Sequence, residues 1–212
     1  MFKSIKENAT AEIIEKKSKF IANVFYVESR EEAEEIIKKI NKKYHDARHN
    51  CYAYRVVTSD GIIEKASDDG EPSGTAGAPM LTILSKNELA NVLVIVTRYF
   101  GGILLGTGGL VKAYSSACAL GLEKAGIVER CIAQVYKIEI SYSDIDRFKY
   151  FAKNNDITIF NEEYLENVTL DIGIKEKDLL EKSLKKEINI RNIQFIKEMY
   201  IWKRLIYRAF FK

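Results

Sequence analysis

The 212-residue chain is poor in the residues that usually declare a specialised protein: one tryptophan, two histidines, two prolines and three cysteines. Cys51, Cys118 and Cys131 are odd in number and far apart, which argues against a disulfide framework and favours a reducing, cytoplasmic setting. His45 and His49 stand four apart, so on a helix they would share a face and could begin a zinc site. No second ligand pair stands at suitable spacing, however, and no glutamate follows His45 as a metalloprotease requires, so no metal is expected. The longest apolar runs, such as Val92 to Val96, are far too short to span a bilayer, and residues 1–17 lack the apolar stretch of a secretory signal. No membrane association is expected. Regular repeats are missing too. The net charge is only +3, although residues 197–212 hold five basic side chains against Glu198 alone. Such a tail is either a solvated chain end or a contact for nucleic acid or an acidic partner.

What is present is ordinary globular material, 47% hydrophobic and 30% charged, in a chain long enough for one large domain or two small ones. Residues 11–15 and 19–27 have strand character, interrupted by Lys16, Lys17 and Ser18. Ser29 is an N-cap candidate, with Glu31 and Glu32 in the first turn and Ala33, Ile36, Ile37 and Ile40 at helical spacing as far as Tyr44. Residues 50–58 and 62–66 read as a hairpin around Ser59-Asp60-Gly61. Residues 91–97 form an almost wholly apolar strand, expected where both sheet faces are covered or the strand is central. A helix is predicted from about Gly109 to Lys124, ended by Gly126.

Beyond residue 130 the pattern changes. Strands at 131–141, 156–160, 164–172 and 190–197, helices at 144–153 and 175–187, and a turn at Asn161-Glu162-Glu163 give the order βαββαβ of a ferredoxin-like split unit. The expected class is therefore α+β in two domains, 1–130 and 131–199, followed by an aromatic-basic extension at 200–212.

Eight of the twelve glycines and both prolines fall between Asp68 and Gly109. A glycine-rich turn between a strand and a helix exposes backbone amides where the helix dipole favours an anion. Gly101, Gly102, Gly106, Thr107, Gly108 and Gly109 are candidates for that role. The Walker Lys-Ser/Thr pair is missing, and Val111 stands where a dinucleotide fingerprint needs its last glycine, so tight packing of helix on sheet is the competing reading. Asp68, Asp69 and Glu71, with Glu64 upstream, could hold a divalent cation or share a proton, or could make turns and caps. Arg98, at the end of the apolar strand, could fork onto a phosphate or brace the two loops by pairing with Asp69 or Glu71. His49 could serve as acid, base or donor, or fix a loop by hydrogen bonds. Ser73, Ser115 and Ser116 lack a nucleophile-elbow pattern, and Cys118 lies in an apolar helix where a buried thiol is expected.

The segments DDGEPSGTAGAPML and NVLVIVTRYFGGILLGTGGLVKAYSSA closely resemble the YigZ/IMPACT family, and HDARHNCYAYRV resembles that family's other marked region, with His49 at its motif histidine. The resemblance covers nearly the whole first domain; the second resembles the small ferredoxin-like module of bacterial members. It implies a first domain with the fold of the second domain of ribosomal protein S5, and a second domain like the last domain of elongation factor G. It also implies a link to translation, which eukaryotic members regulate by interfering with activation of an initiation-factor kinase. The expected function is a non-enzymatic, cytoplasmic regulator that binds RNA, the ribosome or a protein of the translation machinery, with no cofactor. Arg98 and the glycines with Thr107 would contact the anion, supported by His49, Asp68, Asp69, Glu71, Ser73 and Thr75. Two other functions remain open. One is an enzyme acting on an anionic small molecule. The other is a protein-binding module anchored on Tyr99 and Phe100.

Overall fold

Alternation along one strand organises the first domain in a computed structural model that describes residues 1–175, 179 and 184–202. Strands β1 (Phe2–Ile5), β2 (Ala9–Glu15) and β3 (Ser18–Tyr26) precede helix α1 (Arg30–Lys43); β4 (His49–Thr58) and β5 (Gly61–Ser67) precede α2 (Gly77–Lys86). Strand β6 (Val92–Tyr99) and helix α3 (Gly106–Ala125) follow. The sheet order is β2-β3-β6-β4-β5, with every pair antiparallel. Strand β6 is therefore central. Val92, Val94 and Val96 pack with Met80, Leu84, Leu110 and Tyr114 from α2 and α3. Leu93 and Ile95 pack on the other face with Ala33, Ile37 and Ile40 of α1. Successive side chains of a strand point to opposite faces, so a strand covered on both sides must be apolar throughout.

Local signals account for several boundaries. Ser29 Oγ accepts the Glu32 N–H at 3.1 Å and caps α1. Lys16 and Lys17, both at positive φ (45° and 64°), form the two-residue turn of the β2–β3 hairpin. Helix α3 starts a turn earlier than expected, at Gly106 instead of Gly109, so three glycines lie inside its first turn. Helix α2 is not apparent in the sequence because its cap is distant. The Asp68 carboxylate accepts N–H groups from Ala76 and Gly77 at 2.9 and 2.8 Å across the glycine-rich loop. Pro79 sits in the first turn, where a missing N–H costs nothing.

The chain divides into two compact units between Glu129 and Arg130. Strand β7 (Ile127–Ile140) leads into a 3-10 turn (Tyr142–Asp144), α4 (Ile145–Asn154), the hairpin β8 (Thr158–Tyr164) and β9 (Val168–Ile174), a helical turn (Lys185–Glu187) and β10 (Ile190–Trp202). The spatial order β10-β7-β9-β8 puts the first and third strands of the unit at the centre of an antiparallel sheet. Ile138, Ile140, Leu170 and Ile172 pack there against Phe148 and Phe151 of α4. The molecule is thus α+β with two domains.

The expected turn at Asn161-Glu162-Glu163 is a correction: those residues lie within β8, and the hairpin turns at Leu165-Glu166-Asn167. Their polarity reflects an exposed edge strand with a bulge between Ile159 and Asn161. Strand β10 continues to Trp202 along β7, so Tyr200, Ile201 and Trp202 belong to the sheet and not to an extension. The rest of that extension, and most of the helix expected at 175–187, lie outside the described residues. Among the described residues no helix is long and apolar enough to cross a membrane.

Candidate functional site

The alternation that orders the core also builds the site. Arg98 continues the series Val92, Val94, Val96 toward the α2–α3 face, in register opposite His49 on β4 and Phe20 on β3. The Arg98 guanidinium carbon lies 5.6 Å from the centre of the Phe20 ring and 5.5 Å from that of Phe100, at cation–π distance. Its Nη1 donates to Glu71 Oε1 at 2.7 Å, and the Tyr114 hydroxyl donates to the same oxygen at 2.9 Å. Both charged side chains are almost fully buried, at 8% and 3% exposure. Among the described residues the buried Arg98 Nε has no acceptor. The Arg98–Glu71 pair braces the two glycine-rich loops, one of the two roles the sequence left open for the arginine.

The acidic loop is turned inward onto backbone. Asp68 accepts N–H groups from Gly74, Gly77 and Ala76; burial pushes its carboxyl up, but these bonds outweigh it and hold it below the usual range. Asp69, at φ 42°, accepts the Asn50 N–H at 2.6 Å. His49 Nδ1 donates to the Asp69 carbonyl at 2.8 Å, and its Nε2 lies 4.0 Å from Glu71. The Cys51 thiol lies behind this row, 2.9 Å from the Asp68 carbonyl and 3.3 Å from the Tyr114 hydroxyl. Burial pushes Cys51 up to about 12 and drives Tyr114 upward as well. Neither is an ionised nucleophile near neutral pH.

In front of Arg98 opens a cavity of about 410 Å³. Its polar lining includes Arg48, His49, Glu71 and Arg98, and its apolar lining Pro72, Phe100, Leu104, Leu105 and Leu110. Gly106 and Thr107, the first residues of α3, also face the cavity, and the preceding Leu105 provides no side-chain cap. The first turn of α3 holds no acidic residue. The start of a 20-residue helix without a side-chain cap and the Arg98 guanidinium thus line the same cavity.

Arg98, His49, Glu71, Gly106 and Thr107 are brought together here, and other expected site residues are not. Gly101 is a glycine because a Cβ would stand 2.0 Å from the Lys17 carbonyl carbon, and Gly102 makes a turn at φ 84°. Gly108 and Gly109 are not among the residues that line the cavity. Ser73 is exposed outside it, and Thr75 is buried with its hydroxyl donating to the Pro72 carbonyl at 2.6 Å. His45 lies past the end of α1 and His49 opens β4, so the two do not share a helix face. Among the described residues no group of three His, Cys, Asp or Glu is placed to hold a metal ion. Tyr99 donates to Asp46 at 2.9 Å, while Phe100 remains 47% exposed. Arg48 and Tyr114 escaped sequence reasoning. Arg48 adjoins His49, which was the available signal; Tyr114 has its hydroxyl role only through tertiary contact.

Residues 16–122 match the Impact N-terminal domain, and residues 138–181 match a domain of unknown function, DUF1949. The "IMPACT family member YvyE" of Bacillus subtilis (strain 168) is 40% identical over 175 residues, covering 82% of this chain and 80% of the relative. The "IMPACT family member YigZ" of Escherichia coli (strain K12) is 33% identical over 171 residues, covering 80% and 84%. A solved structure described only as that of a hypothetical protein is similar at a TM-score of 0.61 with 30% identity, covering 92% of this chain and 96% of that one.

Proposed function

The chain belongs to the IMPACT family, and from that premise we propose that it regulates translation by binding RNA or the ribosome through the cleft in front of Arg98. The link to translation is carried over from the eukaryotic members described above. The observation that carries the contact itself is the convergence of Arg98, Arg48 and the uncapped start of α3 on one open cavity. Such groups hold phosphate, and phosphate contacts provide sequence-independent, salt-dependent affinity. Binding without turnover is favoured by the surrounding chemistry, since Cys51 and Tyr114 are held protonated and Glu71 is committed to Arg98.

Co-sedimentation of the full chain with ribosomes and subunits tests this reading. Retention is expected at about 50 mM salt, and with one or two phosphate contacts the affinity should fall by roughly three- to tenfold by about 200 mM. Arg48→Ala, at an exposed position, should weaken binding and lower the slope of log affinity against log salt by about one. Absence of retention at low salt, or an Arg48→Ala protein identical to wild type, would overturn it.

A further inference from the structure

We infer that the cleft is shaped for a single nucleoside monophosphate unit, its phosphate on the start of α3 beside Arg98 and its base against the exposed wall of Phe100 and Leu104. This rests on the anion-binding reading of the cleft and specifies what the anion is attached to.

Three observations carry it. The first is that donors outnumber acceptors in the lining. Arg98 lines the cavity more than nine-tenths buried, and among the described residues only its Nη1 has a protein acceptor; Gly106 and Thr107, which line the same cavity, open a helix that has no side-chain cap. The second is that the charge does not continue. From Tyr99 to Val111 there is no charged residue, so nothing along this loop tracks a second or third phosphate. The Arg98 charge is itself offset by Glu71, which leaves Arg48 and the helix terminus to attract one anionic group. The third is unsatisfied apolar surface at the same mouth. Leu104 is 83% and Phe100 47% exposed, beside the buried Leu110. A cavity of about 410 Å³ lies in the range for one small ligand and is too small for a length of strand. An anion at one end and a flat apolar group at the other describe a nucleotide, because every base offers a face for stacking. The unit comes either from a free nucleotide or from a phosphorylated RNA end.

Calorimetric titration of the full chain with AMP, adenosine, inorganic phosphate, and one single-stranded oligoribonucleotide with and without its 5′-phosphate tests the inference. AMP should bind at least about tenfold more tightly than adenosine or phosphate, the loss expected when one stacked or charged contact is removed. Phe100→Ala should weaken AMP by about tenfold and inorganic phosphate by much less. Leu104→Ser, at a position too exposed to matter for folding, should shift AMP the same way by less. Stronger binding of the 5′-phosphorylated oligonucleotide than of AMP identifies an RNA end as the source; the reverse identifies a free nucleotide. Equal affinity for AMP and inorganic phosphate, or no effect of either substitution, overturns the inference. If AMP fails to bind while ribosomes are still retained through Arg48, only this inference falls. If AMP binds but ribosomes are never retained, the translation reading falls and this one stands.

Discussion

Replacing Arg98 by methionine isolates the energetic role of the pair at the centre of the cleft. Methionine keeps an apolar stem near Phe20 and Phe100, so little packing is lost. What is lost is the arginine partner of Glu71, whose side chain is 3% exposed and which would retain the Tyr114 hydroxyl at 2.9 Å, with His49 Nε2 4.0 Å away. Breaking a buried ion pair from one side costs about 3–5 kcal/mol because a charge is left uncompensated; the retained hydrogen bond places this case near the lower end. The chain has two units that need not unfold together, so the readout must be local. Hydrogen exchange followed by mass spectrometry on peptides from β6 and α3 provides it. A loss of about 3 kcal/mol accelerates the slowest amides by about 100-fold, while β9 in the other unit should be unchanged. Adding Glu71→Gln removes the stranded charge and keeps the bond to Tyr114, so the double variant should return to within about 1 kcal/mol of wild type. Less than about threefold acceleration in Arg98→Met, or a double variant as unstable as the single, would refute the reasoning.

Burial pushes the Cys51 and Cys118 thiols up to about 12. At pH 8 iodoacetamide should therefore label only Cys131 in the native protein, by mass spectrometry. Both thiols ionise near pH 8.5 once unfolded, so this contribution to stability is intact below about pH 8.5 and falls as pH rises toward 12, which a urea midpoint against pH will follow. Asp68 has the opposite sign: its folded value is lowered, so its contribution is present above about pH 3.9 and disappears as the pH drops through the folded value. Asp68→Asn should cost about 1–2 kcal/mol at neutral pH and speed exchange of the Gly74, Ala76 and Gly77 amides, and unchanged exchange there would count against the cap. Gly101→Ala forces a Cβ to within 2.0 Å of the Lys17 backbone and should lower the melting temperature sharply. Gly108→Ala meets nothing within 4 Å in the first turn of α3 and should raise stability by about 0.5–1 kcal/mol.

Much of this molecule was legible in the linear chain because the signals were local. Periodicity identified α1, Ser29 announced its own cap, and the apolar run in β6 declared a covered or central strand. Composition alone drew attention to residues 68–109, and Arg98 stood out as the charged residue ending that strand. The rest depended on partners distant in sequence. Helix α2 has a cap eight and nine residues upstream of its first amides. The polarity of Asn161–Glu163 suggested a turn because an exposed edge strand and a turn select the same residues. Among the glycines, those at 101, 102, 106, 108 and 109 are equivalent by composition, yet one avoids the Lys17 backbone, another opens α3 at the cavity, and a third faces open space. The chain's own order of residues determined which elements form and which segment is unusual, because backbone propensity and side-chain period act over a few residues. Only tertiary structure decided that Glu71 neutralises Arg98, that Asp68 caps a helix, and that Arg48, Phe100 and the start of α3 share a cavity. Charge, burial and stacking act through space, and the sheet register alone brings His49, Phe20 and Arg98 into one row.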